Sequence, residues 1–301
     1  MADSAAPGAD GLTSRSVGSL LRDLSAELCT GVVEDPAGEA RDILAAVLSV
    51  ERLWPAANRE AVVPDRLRTS AFVAARKRAL GCPFAYCVGK AMFRHHTLHV
   101  DERVLIPRQE TEVLVDHVLE WRKDAAGGLA IDIGTGSGGI AISLASEGGS
   151  AFDRVIGTDI SLGALAVARS NAERLLLKSD TRVEFRHGAL FAPVRDERAS
   201  VLVANPPYIA WSEAADLPAS VRDWEPPIAL FGGRDGMVVT EALIRGAVHV
   251  LEPGGLLALE LDSRRAARAA ALALEDGRYR DINVLFDLTG RERFLMATRI
   301  G

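Results

Sequence analysis

The chain has 301 residues, 48% of them apolar, and a formal charge of −6 from 35 basic and 41 acidic side chains. That length can bury a substantial core and divides naturally into one large and one small domain. The acidic balance and the lack of a long basic run exclude the electrostatic footprint of a protein that grips free nucleic acid regardless of sequence. Three cysteines, Cys29, Cys82 and Cys87, show neither the paired spacing nor the histidine cluster of a zinc site, and their odd number fits a reducing cytoplasm. No run reaches the roughly 18 apolar residues of a membrane span. The opening "MADSAAPGADG" lacks the basic and apolar regions of a signal peptide, and residues 1–13 read as a disordered tail.

Residues 14–90 read as a small helical domain. Leu20, Leu21, Leu24 and Leu28 recur on one helical face and Ile43, Leu44, Val47 and Leu48 on another, while Pro36, Pro55 and Pro64 cut the segment into short helices. "AMFRHHTLHVDERVLIP" (91–107) mixes extended and turn character and predicts a connecting hairpin. From 108 to 301 strand candidates alternate with helical stretches: "LAIDIG" (129–134), "RVIGTDI" (154–160), "TRVEFRHG" (181–188), "SVLVAN" (200–205) and "GLLALEL" (255–261). One of the helices, 161–176, opens with Ser161 as its N-cap. This alternation predicts an α/β fold, a parallel sheet covered by helices on both faces.

"DIGTGSGGIAISLA" (132–145) follows the first of these strands and opens a helix, so its glycines supply a tight turn and let a ligand approach the backbone. Gly134, Gly136 and Gly139 satisfy GxGxxG, which leaves a nicotinamide or flavin enzyme open, whereas the missing lysine excludes a P-loop. Asp159 ends the next strand, where a carboxylate can accept from both hydroxyls of an adenosine ribose, in a dinucleotide or in S-adenosylmethionine. Asp132 could reach a ligand's amino group or brace the loop.

"NPPY" (205–208) lies at the carboxyl end of the fourth strand, where open α/β sheets bind ligands. Pro206 and Pro207 fix their own backbone and donate no hydrogen bond, so the segment presents carbonyl acceptors rigidly. A planar amino group conjugated to a carbonyl or an aromatic ring is a poor nucleophile because its lone pair is delocalised. The Asn205 side-chain oxygen and the Pro206 carbonyl could each take one of its hydrogens, holding it so that the lone pair turns toward an electrophile in the transition state. Tyr208 could pack on the planar group. The implied electrophile is the methyl of S-adenosylmethionine, and a hydride-transfer enzyme has no use for such a loop. The bland alternative is that Asn-Pro-Pro is simply a turn.

With these residues in place, the chain resembles the HemK/PrmC glutamine methyltransferases, which modify the Gly-Gly-Gln motif of peptide-chain release factors. The likeness covers nearly the whole sequence. It runs in order through "PFAYCVGKAMF" (83–93), "VLIPRQETEVLV" (104–115), the glycine turn, "GTDISLGALAVARSNAERL" (157–175), "NPPYI", "EPPIALFGGRDG" (225–236), "LEPGGLLALEL" and "DLTGRERFLMATR". The resemblance implies an N-terminal helical domain (14–90) that helps dock a protein substrate, a hairpin (91–107) and a Rossmann-like class I methyltransferase domain (108–301). It further implies that Gly134, Thr135, Gly136, Ser137 and Gly138 hold the methionine part of the cofactor, Asp159 the ribose, and Asn205 to Tyr208 the glutamine amide, with Ile160 also in the cofactor set. Asp132 and Leu190 join the expected cofactor set.

The sequence departs from the family pattern at three places. Ala189 and Leu190 in "HGALF" remove an acidic acceptor for the adenine amino group, Gln109 replaces a proline, and Glu260, Leu261 and Asp262 replace a glutamate-isoleucine-glycine. Two alternatives therefore stand beside release-factor methylation: a divergent relative acting on another protein or a small metabolite, and a non-catalytic scaffold. Elsewhere, Arg108, Glu110 and Glu112 could line the cleft or be paired structurally. His95, His96 and His99 alternate along the hairpin, which suits a surface role better than metal ligation. Trp211 and Trp224 bracket the stretch after NPPY as a substrate lid or as core.

Overall fold

The computed structural model describes residues 16–177 and 179–301; the tail expected at 1–13 lies outside them. Two compact units divide between Val88 and Gly89. In the first, α1 (Val17–Leu28), α2 (Pro36–Leu48), α3 (Trp54–Ala57), α4 (Asp65–Ala79) and α5 (Phe84–Val88) surround one core. Ser16 and Asp35 cap α1 and α2 through their side chains, and the three prolines stand at or next to the helix starts they were expected to mark. Leu20, Leu24, Leu28, Ile43 and Leu44 are fully buried against Ala71, Ala74 and Ala75 of α4, whose small side chains let the helices approach closely. Leu21, Val47 and Leu48 pack at the edge of this core.

In the second unit the chain forms a hairpin of β1 (Lys90–Phe93) and β2 (His96–His99), then α6 (Gln109–Arg122), then a seven-stranded sheet. The five expected strands are β3 (Leu129–Ile133), β4 (Arg154–Asp159), β5 (Arg182–His187), β6 (Ala199–Ala204) and β7 (Leu251–Glu260), and they pair in parallel. β3 and β6 are buried along their whole length, which is why they read as continuous apolar runs.

Two strands escaped the sequence reading. β8 (Tyr279–Phe286) and β9 (Glu292–Arg299) add an antiparallel edge, with β9 lying between β7 and β8. Their short connection permits only a hairpin, and Asp287 closes it by accepting from the backbone of Thr289 and Arg291 at 2.8 and 3.0 Å. The exposed, charged face of β8 conceals the strand periodicity.

The crossover helices are α7 (Gly139–Glu147), α8 (Leu162–Leu175), the short α9 (Ala219–Arg222) and α10 (Pro227–Leu230), α11 (Val238–Ala247) and α12 (Ser263–Asp276). Leu129, Ile131 and Ile133 of β3 share a core with α11 and α12, so by strand alternation Asp132 points to the opposite face, where it meets α7. From β3 the chain builds outward through β4 and β5, then returns to lay β6 on the other flank of β3. That reversal opens a crevice beyond the carboxyl ends of β3 and β6.

The hairpin is tied to the glycine turn by one buried side chain. Asn171 of α8 accepts from His99 N at 2.8 Å and donates to His99 O at 3.0 Å and to Ser137 O at 2.9 Å. Asn171→Ala strands these groups, so it should lower unfolding free energy by on the order of 2–4 kcal/mol and speed amide exchange at His99. Unchanged denaturation midpoints and His99 exchange would refute this role.

Candidate active site

A cavity of about 310 Å³ occupies the crevice. Gly134 and Gly136 from the turn after β3, Asp159 ending β4 with Ile160 next to it, Leu190 after β5, and Asn205, Pro206 and Pro207 after β6 all line it. The structure thus gathers eight expected residues from four strand ends. Gly134, Gly136 and Gly138 take φ of +76°, +54° and +85°, left-handed values that favour glycine. A Cβ at Gly134 would meet no protein atom within 4 Å, so its backbone is open to a ligand.

Asp132, Thr135, Ser137 and Gly138 do not line this cavity; they support the turn from behind. Gly134 N and Thr135 N both donate to Thr158 O, at 2.8 and 2.9 Å, and Ser137 is held by Asn171. A Cβ at Gly138 would lie 3.2 Å from Ala168 Cβ, so glycine there lets α7 and α8 pack. Asp132 braces the turn through its side chain. Its Oδ2 accepts from Thr135 Oγ1 at 2.6 Å and Ala141 N at 3.2 Å, while Oδ1 is buried without a partner. Burial pushes this carboxyl up to about 7.

Asp159 accepts from Ser161 N at 2.8 Å and Gly136 N at 3.0 Å, one bond on each oxygen, and burial raises its pKa. Each oxygen keeps acceptor capacity for a ribose hydroxyl. Ile160 and Leu190 supply apolar walls nearby, with Ala189 beside them. Leu190 holds φ at +47°, a conformation that costs a non-glycine residue about 1–2 kcal/mol. These surfaces fit an adenosine carrying a short polar chain, as S-adenosylmethionine does.

A second cavity of about 300 Å³ is lined by Leu105, Arg108, Asn205, Pro206 and Tyr208 among others. Asn205 and Pro206 line both cavities, as Leu105 and Ala229 do, and so stand in the wall where the two meet. Asn205 Nδ2 donates to Thr111 Oγ1 at 2.9 Å, and Thr111 Oγ1 donates to Glu260 Oε2 at 2.6 Å. No described residue donates to Asn205 Oδ1 or to the Pro206 carbonyl. Tyr208 OH lies 3.5 Å from Glu260 Oε1, and burial raises the pKa of this phenol, keeping it protonated.

The sequence reading missed Thr111 and Glu225, and met Glu260 only as part of a departure from the family pattern. Glu225, buried, accepts from Arg108 Nη2 at 2.6 Å and Ile106 N at 3.2 Å, closing the segment before α6 onto the cavities. Arg108 is thus both paired and cavity-lining, whereas Glu110 and Glu112 line neither cavity. His96 bonds Ser146 and His99 bonds Gly89 and Asp101 on the hairpin, with His95 3.7 Å from Glu147. Trp211 is 66% exposed, which removes the core reading for it, and Trp224 is half-buried; neither lines a cavity.

The glycines of "ALFGGRDG" have a steric reason. A Cβ at Gly232 would fall 2.3 Å from Pro207 O, and one at Gly236 2.3 Å from Tyr208 O. Ile209 N donates to Leu230 O and Gly232 N to Ile209 O, so this segment is zipped along NPPY. Gly232→Ala should displace the loop and lower turnover by about 10–100-fold, with a smaller change in cofactor affinity. Turnover within error of wild type would show that the close approach does not position NPPY.

The chain matches the Methyltransferase small domain family over residues 109–218 and the PrmC N-terminal domain family over residues 19–89. A release factor glutamine methyltransferase of Moorella thermoacetica is 41% identical over 285 residues, covering 95% of this chain and 98% of that one. One from Rhodopirellula baltica is 36% identical, covering 87% and 89%. Among solved structures, the hMettl16 catalytic domain in complex with MAT2A 3′UTR hairpin 6 superposes with a TM-score of 0.52 at 14% identity, over 78% of this chain and 82% of that one, a likeness of fold. The chain is a methyltransferase with S-adenosylmethionine as its methyl donor, and it belongs to the family of release factor glutamine methyltransferases.

Proposed function

We propose that this chain methylates the side-chain amide nitrogen of the glutamine in the Gly-Gly-Gln motif of a peptide-chain release factor. The observation that carries the reading is the position of Asn205 and Pro206 in the wall between two cavities, with the Asn205 oxygen and the Pro206 carbonyl free to accept. When bound, S-adenosylmethionine supplies an electrophilic methyl group. In this reading Gly134 and Gly136 hold its methionine part, Asp159 accepts from the ribose, and Ile160 and Leu190 flank the adenine. Asn205 and Pro206 each take one hydrogen of the incoming amide, which fixes the nitrogen and turns its lone pair toward the cofactor side. Tyr208, protonated and lining the second cavity, packs on the planar amide. Asn205, Pro206 and Pro207 cannot take up a proton, so they orient the amide and water receives the proton it releases.

The relatives' names support a release factor as the acceptor. Three free thiols, Cys29, Cys82 and Cys87, support a cytoplasmic setting, and among the described residues no helix is long and apolar enough to cross a membrane. The full chain, incubated with labelled S-adenosylmethionine and a release factor, should label the glutamine of the Gly-Gly-Gln peptide. A release factor with that glutamine replaced by alanine should stay unlabelled. Label confined to a small-molecule fraction of cell extract, with none in the release factor, would replace this acceptor with a metabolite.

A further inference from the structure

We propose that Thr111 and Glu260 form a relay that sets which end of the Asn205 carboxamide faces the methyl acceptor, making both of them positioning residues. The inference rests on the reading above, in which Asn205 Oδ1 accepts from the substrate amide. Its geometry is independent of any ligand. A hydroxyl has one hydrogen to give. At 2.6 Å from Glu260 Oε2 and 2.9 Å from Asn205, Thr111 Oγ1 must divide its donor and acceptor roles between them. An ionised Glu260 only accepts, so the Thr111 hydrogen goes to it and the Thr111 oxygen is left to accept from Asn205 Nδ2. The carboxamide then has a single satisfied orientation, with Oδ1 turned away from Thr111 and available to the acceptor. Thr111 and Glu260 are both buried, so water does not substitute for a missing partner.

Protonation of Glu260 removes that constraint. A carboxylic acid can donate to Thr111, whose hydrogen is then free for Asn205 Oδ1 after a half-turn of the carboxamide. The NH₂ group would face the incoming amide, donor against donor. Groups from every packed element bear on this proton. Glu110, on α6 with Thr111, disfavours the anion; Arg293 on the neighbouring β9 and the Tyr208 hydroxyl favour it. Burial outweighs them and pushes the Glu260 carboxyl up to about 7. Folded and active protein should therefore lose turnover as pH falls through about 7, because the raised folded-state pKa keeps the proton on Glu260 below that value.

The test compares wild type, Thr111→Val and Thr111→Ser, each shown to be folded. In the free proteins, the Asn205 side-chain NH₂ resonances should titrate near neutral pH in wild type and Thr111→Ser, and not in Thr111→Val. With release factor as acceptor, Thr111→Val should lower kcat by about 10–100-fold with cofactor affinity unchanged and lose the acid limb, while Thr111→Ser should restore most of both. The relay is overturned if Thr111→Val keeps wild-type kcat, if Thr111→Ser falls as far as Thr111→Val, or if the Asn205 resonances ignore pH in wild type. The resonance measurement needs no substrate, so a wild-type enzyme that fails to methylate release factor but shows the titration refutes the acceptor and leaves the relay standing.

Discussion

The functional architecture depends on the fork in the sheet where β3 is flanked by β4 on one side and β6 on the other. A parallel sheet that grows outward from β3 and then restarts on its other flank leaves no connection across the carboxyl ends of β3 and β6. The glycine turn and Asn205 occupy those two ends. Each is held by neighbours of different kinds: Thr158 O and Asn171 anchor the turn, while Gly232, Gly236 and Thr111 confine the NPPY segment. The spacing between the glycine turn and the NPPY segment is thus a property of the sheet rather than of a loop.

Two buried carboxyls work in contrasting surroundings. Asp132 on β3 braces the turn with a hydroxyl and a backbone N–H, and one of its oxygens has no partner. Glu260 at the end of β7 faces Thr111 and Tyr208 and sits close to Asn205 through a single hydroxyl. Burial raises both to about 7. Asp159, by contrast, lies at the cavity rim, where its oxygens are partly committed to backbone N–H groups and partly open. Position in the sheet, more than residue type, separates the carboxylate that lines the cavity from the two that do not.

Much of this was legible because local chemistry determined it. Apolar runs marked the buried strands, glycines marked the left-handed turn, and two prolines marked the cavity-lining segment at the end of β6. What stayed hidden depends on partners distant in sequence. Thr111 and Glu260 are far apart in the chain, and only the packing of α6 on β7 brings them to Asn205. Glu225 meets Arg108 across a similarly long interval. β8 was obscured because an exposed edge strand carries charges that blur its alternation, whereas β9, buried from Phe294 to Thr298 between β7 and β8, was met only inside the quoted stretch "DLTGRERFLMATR". Asp132 read equally well as a ligand contact or as a brace, since its strand position is the same in both; its bonds to Thr135 and Ala141 depend on the packing of α7, which no local pattern shows.

The central claim is that Asn205 acts on the reacting amide rather than on folding. Its most direct test is kcat together with affinity for the demethylated cofactor, measured on Asn205→Ala protein shown to be folded, with a release factor as acceptor. Loss of one preorganised acceptor should lower kcat on the order of 10²–10³-fold, with cofactor affinity little changed. A folded variant that keeps near wild-type turnover, or whose loss of turnover is matched by an equal loss of cofactor affinity, would contradict the account.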